Sequence, residues 1–345
     1  MGAIVLSGCT LSGTSLTGNV SGSIWKSFDG GKTFVPKITV DEKRKISSAD
    51  VLSLAIDPFN AQVIYIGTME NGLFKTSDGG EHWEPLEFPP LKNYGLTIDR
   101  QYTDRIYASG VYKDIAKIYR SDDGGKNWKE VYTEPGKGTV ITVLRTHPQV
   151  QGVLYAGTSA GVTIKSTNGG DTWDNMGAAS GPVMKILFEK NVPEKVQLLV
   201  FEKGIRTSYD GGKTWTDDFG VMMTTPQSLA ATVRPDGILT AFSDPFGTGT
   251  IYVGAKNGLF RSRDGGKTWE AIDIIESSKK YPIRAIAVNP NDSNEIVYAA
   301  GSAFYKSVDG GIKWATTELT IDRGVSVIEY DPNETSVLYF GLRAF

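Results

Sequence analysis

SYDGGKTW, residues 208–215, is one of seven near-copies of a single eight-residue pattern. The others are SFDGGKTF at 27–34, TSDGGEHW at 76–83, SDDGGKNW at 121–128, STNGGDTW at 166–173, SRDGGKTW at 262–269 and SVDGGIKW at 307–314. Their third residues are Asp29, Asp78, Asp123, Asn168, Asp210, Asp264 and Asp309, separated by 49, 45, 45, 42, 54 and 45 residues. A period of that size marks a repeat architecture and takes precedence over any local reading.

The pattern has a physical meaning. An Asp or Asn at the third position folds its side chain back onto backbone N–H groups just downstream. The Gly-Gly pair that follows accepts positive φ without a Cβ clash. Together they predict a tight turn between two strands, and the closing aromatic points from the second strand into a packed layer. Six of the seven Trp hold this last position, and Phe34 takes the seventh. Burying such a ring supplies ~4–6 kcal/mol of gross stabilisation. Stability alone accounts for the motif, so its Asp residues read as structural.

Each interval divides into four strand candidates, A to D from the inside outward. The segment at 51–58, VLSLAIDP, reads as strand A, and VIYIGT at 63–68 as strand B. Strand A is apolar on both faces, as expected near a central axis. Only a strand C, residues 23–26, precedes the first box, and the last A and B strands, within 325–341, have no box after them. The expectation is an all-β, seven-bladed β-propeller closed by pairing C-terminal strands A and B with N-terminal strands C and D. Residues 23–345 then form one propeller of about 46 residues per blade. The longest interval carries an insertion at 216–238, with Met222 and Met223, which reads as a strand or hairpin of its own.

Composition narrows the function classes. The 345 residues carry a net charge of −3 with both signs interspersed, which is no nucleic-acid signature. No stretch approaches the ~20 apolar residues of a membrane helix. The single Cys excludes an internal disulfide and a Cys-based zinc site, and His82 and His147 lie in different repeats, so no metal or other cofactor is expected. The Asp residues that end strand A (Asp57, Asp99, Asp244, Asp331) recur too often for a catalytic acid and read as turn formers.

Residues 1–22 read as a shortened leader and flexible tether. Leu6-Ser7-Gly8-Cys9 resembles a bacterial lipobox, which would make Cys9 a lipidation site and the membrane contact a lipid anchor. The Ser, Thr and Gly that follow suit a tether.

The seven boxes resemble the Asp-box, or bacterial neuraminidase repeat, S-x-D-x-G-x-x-W. That resemblance implies a propeller with the boxes as structural turns away from the binding face. It spans sialidases, xyloglucan-cleaving glycosidases, sortilin-type receptors and the photosystem II assembly propeller. A sialidase would need an Arg triad and an Arg-Ile-Pro motif, and the nearest string here, Tyr281-Pro282-Ile283-Arg284, is scrambled. A xyloglucanase would need a second propeller facing the first. In layout the chain is similar to single propellers of the photosystem II stability and assembly factor type, which implies a non-enzymatic scaffold outside the cytoplasm that contacts a membrane protein.

In a propeller the D–A and B–C loops share one face, and the A–B turns share the other with the boxes. The first face collects Tyr112, Lys113, Lys203, Lys256, Lys279, Lys280, Tyr281, Arg284 and Arg323. Segregated charge of this kind suits a protein partner with an acidic surface, such as a membrane protein. The expected function is a non-catalytic interaction or assembly propeller, extracytoplasmic and lipid-anchored. The alternative is a glycoside hydrolase of sialidase or xyloglucanase type, with a glycan as ligand.

Overall fold

A computed structural model describes residues 22–216, 221–222, 235–275 and 281–345. Among the described residues every regular element is a strand, and the strands form seven separate sheets. Blades 1 to 6 begin with inner strands Val51–Ile56, Lys92–Ile98, Ile141–Thr146, Val183–Glu189, Ile238–Ser243 and Ala285–Asn289. Blade 7 joins the two ends of the chain. Its inner strands are Gly324–Tyr330 and Leu338–Arg343, and its outer strands are Ile24–Ser27 and Val35–Pro36. The seam pairs Ile24 with Gly341 and Ser27 with Leu338 in an antiparallel register.

Seven buried apolar clusters lie one between each pair of neighbouring blades. At the seam Phe34 stacks on Phe340 at 4.3 Å and meets Phe304 edge-on at 5.2 Å. In this slot Phe34 thus does the work of the box Trp. Trp83 is fully buried, whereas Trp173 and Trp215 stay half-buried and donate Nε1–H to backbone carbonyls of the preceding blade, Val131 and Met176.

Blade 4 departs from the pattern. Its sheet has three strands, and after a single bridge between Thr207 and Thr216 the chain leaves it. Val221–Met222 then lies parallel to Thr268–Ile272 at the outer edge of blade 5. The insertion does contain a strand, but that strand belongs to the neighbouring sheet. The rest of 217–234 falls outside the described residues.

Candidate functional site

The box is a closed hydrogen-bonded unit. In the first copy the Ser27 hydroxyl donates to Asp29 Oδ1 at 2.9 Å and accepts from Gly31 N–H at 2.8 Å. Asp29 also accepts from the backbone N–H and hydroxyl of Thr33. The pattern repeats at Asp78, Asp123, Asn168, Asp210, Asp264 and Asp309. Hydrogen bonds from Asn127 and Ser121 hold the exposed Asp123 carboxyl at about 2. Both glycines are at positive φ in every copy, 72° and 90° at Gly30 and Gly31, and a Cβ on Gly31 would come within 2.1 Å of Phe304. These side chains are spent on the turn itself.

The first box glycine has a further role that sequence reasoning missed. Its N–H bonds to the A–B turn of its own blade in all seven copies, for example Gly79 to Gln62 O at 2.9 Å and Gly310 to Asn294 O at 2.9 Å. Its carbonyl accepts from a cation on strand C of the preceding blade. Lys26 reaches Gly79, Lys75 reaches Gly124, Arg120 reaches Gly169, Lys165 reaches Gly211, Arg261 reaches Gly310 and Lys306 reaches Gly30. Where Thr207 replaces the cation, Gln197 of strand B bonds Gly265 O at 2.7 Å. The signal was in the sequence: Lys or Arg immediately precedes the Ser or Thr of six boxes.

The loop face places the predicted basic residues on separate blades. Lys113 caps the B–C turn of blade 2 and lies 5.2 Å over the Tyr112 ring. Lys113 and Asp114 both have positive φ, 51° and 65°, a conformation that Asn-Gly would adopt without strain. Lys203 and Lys256 stand exposed at the corresponding turns of blades 4 and 5. Arg284 lies 4.3 Å over the ring of Phe345. Tyr281 is half-buried against Gly301. Lys279, Lys280 and Cys9 lie outside the described residues. Arg323 points inward instead. Its guanidinium donates to the carbonyls of Gly22, Ser47 and Ala49 and pairs with Asp50 at 3.3 Å, so it clasps the seam between blades 7 and 1.

On the opposite face the strand-A carboxylates form turns. Asp57 accepts from Phe59 and Asn60 N–H, Asp99 from Gln101 and Tyr102, and Asp331 from Asn333 and Glu334. His147 does the same through Nδ1, accepting from Gln149 and Val150, while Nε2–H donates to Pro193 O at 2.9 Å.

Three charged residues project from inner strands and sense one another: Arg145 of blade 3, Lys185 of blade 4 and Glu329 of blade 7. Their position on innermost strands places them at the central channel. Arg145 stays open to water although protein crowds it. Burial lowers the Lys185 pKa and raises that of Glu329, against the pull of Arg145 and Lys185 on the carboxylate. Pairing with Tyr155 and Tyr339 puts Arg145 and Glu329 at the same blade position, which Ala55, Thr97, Leu187, Phe242 and Ala287 hold elsewhere. A charge at an otherwise uncharged inner position was the available signal.

Fold and motif together define a seven-bladed Asp-box propeller. The BNR/Asp-box repeat family matches residues 119–130 and 260–271. Among solved structures the chain is similar to the GH74 enzyme of Niastella koreensis, with a TM-score of 0.67 and 19% identity over 85% of this chain and 51% of that one. It is similar to YCF48 bound to D1 peptide, with a TM-score of 0.64 and 15% identity over 88% of this chain and 97% of that one. YCF48 from Cyanidioschyzon merolae gives 0.63 and 17%, over 85% and 95% of the two chains. In sequence, 130 residues are 28% identical to an oligoxyloglucan-reducing end-specific xyloglucanase of Emericella nidulans, covering 32% of this chain and 15% of that enzyme. The chain therefore spans about half the GH74 enzyme and nearly all of YCF48.

Proposed function

We propose that the chain is a non-catalytic interaction propeller that binds a protein partner, held outside the cytoplasm by a lipid on Cys9. The observation that carries this reading is one closed ring, 88% of this chain, that corresponds to 97% of a YCF48 chain that holds a peptide. The loop face is the proposed contact surface. Lys113, Lys203, Lys256 and Arg284 supply cations there, and the strain at Lys113-Asp114 is a cost the fold does not need for its own stability. An acidic surface on a membrane protein fits this charge.

The test is binding of the purified propeller to detergent-solubilised membrane proteins, repeated with Lys113→Glu, Lys256→Glu and Arg284→Glu combined. Charge reversal should abolish recovery, and salt should weaken the wild-type complex. Equal recovery by both proteins would move the contact off this face.

The GH74 likeness favours a second reading, glycan hydrolysis. Glu329 is a channel carboxylate, and among the described residues the charges acting on it are those of Arg145 and Lys185. Release of oligosaccharides from xyloglucan by the wild type, lost in Glu329→Gln, would establish that reading over the first.

A further inference from the structure

The box face is unlike its seven-fold plan in one respect. Five consecutive A–B turns expose an apolar side chain at the channel mouth: Phe59, Tyr102, Val150, Val192 and Phe246. Phe59 is 74% exposed and Tyr102 52%. The A–B turns of blades 6 and 7 carry Asn291, Asp292, Asn333 and Glu334 instead. The apolar residues thus form one arc. Capping by Asp57, Asp99, His147 and Asp244 fixes the turns of four of the five blades.

Side chains also tie the turns of blades 2 to 5 to one another. Gln151 Nε2–H donates to the Tyr102 hydroxyl at 3.1 Å, Gln149 to the Lys190 carbonyl, and Asn191 Nδ2–H to the Gly247 carbonyl at 3.1 Å. The arc is therefore a preorganised surface, which lowers the ordering cost of binding.

Charge in the channel is polarised in the same sense. Arg100 is exposed in the A–B turn of blade 2, Arg145 and Lys185 lie on the inner strands of blades 3 and 4, with Lys185 nearer the loop-face end, and Glu329 comes from blade 7 below the polar turns. Among the described residues Lys185 makes no hydrogen bond or close ion pair.

We propose that the box face binds a protruding segment of a partner protein, whose apolar side chains lie on the Tyr102–Phe246 arc and whose acidic side chain enters the channel mouth toward Arg145 and Lys185. A flat anionic membrane would meet the apolar arc but could not reach cations recessed in the channel. A neutral glycan would stack on Tyr102 and Phe246 but form no ion pair with Arg145 or Lys185. This surface lies on the opposite face from the basic loops, and it does not depend on them.

The experiment uses an array of synthetic 12-residue peptides, each with a central Glu flanked by Phe, Leu or Tyr, alongside matched peptides with Gln at the centre. The full propeller should bind a subset of the Glu peptides at least tenfold more tightly than their Gln partners. Lys185→Gln and Arg145→Gln should each erase that preference, and Phe246→Ser with Tyr102→Ser should weaken both peptide sets tenfold or more. Lys129→Gln, exposed on the outer strand of blade 2 and part of neither surface, should change neither. Far-ultraviolet spectra and melting curves identify any variant that fails to fold, and binding by the surface pair Tyr102→Ser and Phe246→Ser then decides alone. Three outcomes overturn the proposal: equal binding of Glu and Gln peptides, absence of binding to any peptide, or binding of phosphatidylglycerol vesicles or xyloglucan oligosaccharides that the arc substitutions abolish while peptides are ignored.

Discussion

Lys306 Nζ lies 3.3 Å from the carbonyl oxygen of Gly30, although 276 residues separate the two in sequence. The same ammonium pairs with Glu295 at 2.9 Å. It is the blade 6 to blade 7 copy of the cation-to-glycine bond that joins five other pairs of neighbouring blades. Lys306→Met keeps the stem and removes the donor, leaving the Gly30 carbonyl to water. Stability should fall by about 1.5–3 kcal/mol, the worth of a charged hydrogen bond. Denaturant midpoints measure this. A change no larger than that of an exposed Lys such as Lys267 would show that the bond contributes nothing to closure.

Ser208 is buried and serves its box twice, donating to Asp210 and accepting from Gly212 N–H at 2.8 Å. Ser208→Ala strands that N–H, with an expected loss of about 1–3 kcal/mol. Binding through the loop face should survive, as calorimetric titration of the same partner would report.

Acid should unravel the boxes together. Asp29, Asp78 and Asp123 sit at about 2, below the ordinary 3.8. At Asp29 and Asp78 burial opposes this and the hydrogen bonds from Thr33 and His82 overcome it. Groups whose folded pKa is depressed stabilise the protein above the unfolded value and lose that contribution as pH falls. Melting temperature should therefore be flat with respect to these groups above pH 4 and fall between about pH 4 and pH 2. The box built on Asn168 has no such group. Asp123→Asn should remove one step of the loss, visible as a shallower acid limb in a plot of melting temperature against pH.

His147 predicts an earlier acid step. Burial holds its pKa below 6.5, and its Nδ1 must stay unprotonated to accept from Gln149 and Val150. The contribution is full above 6.5 and disappears as pH falls through the folded value. His147→Asp should preserve the turn, because Asp57 and Asp99 do the same work in neighbouring blades. His147→Leu should leave two N–H groups without an acceptor and cost about 1–3 kcal/mol for each that stays buried. Amide exchange at Gln149 and Val150 separates the two variants.

The turn at Lys113-Asp114 allows stability and recognition to be separated. Replacing Lys113→Asn with Asp114→Gly relieves two residues at positive φ and should stabilise the chain by about 1–2 kcal/mol. If the loop face is the contact, the same double variant binds its partner more weakly. Tighter or unchanged binding would remove Lys113 from the contact.

Much of the fold could be read from the box spacing, because Gly-Gly after Asp admits few backbone solutions and recurs at a blade-sized period. Phe34 was legible as a box aromatic for the same reason. Arg323 was not, because nothing local to it distinguishes a solvated loop cation from one that meets the carbonyls of Gly22 and Ser47 across the seam. Lys75 and Lys165 likewise look like surface residues until the next blade is in place. Arg145, Lys185 and Glu329 share a channel only because the ring closes, and pairing between blades 3, 4 and 7 is invisible to periodicity. The handover at Thr216 hid behind the length of the insertion: the expected extra strand exists, but the sheet it joins is fixed by packing rather than by sequence order.

The seam of blade 7 also sets a timetable for synthesis. Ile24–Ser27 emerges early from the ribosome, and its partner Leu338–Arg343 about 310 residues later. At ~5–20 residues per second that interval is roughly 15–60 s. Throughout it, Ile24 and Trp25, both buried in the finished ring, lack the inner strand Leu338–Arg343 that pairs with them there. Six blades can form while this edge waits, so the earliest of the described strands is among the last to acquire its native contacts, and a chaperone that shields it has a long task on this chain.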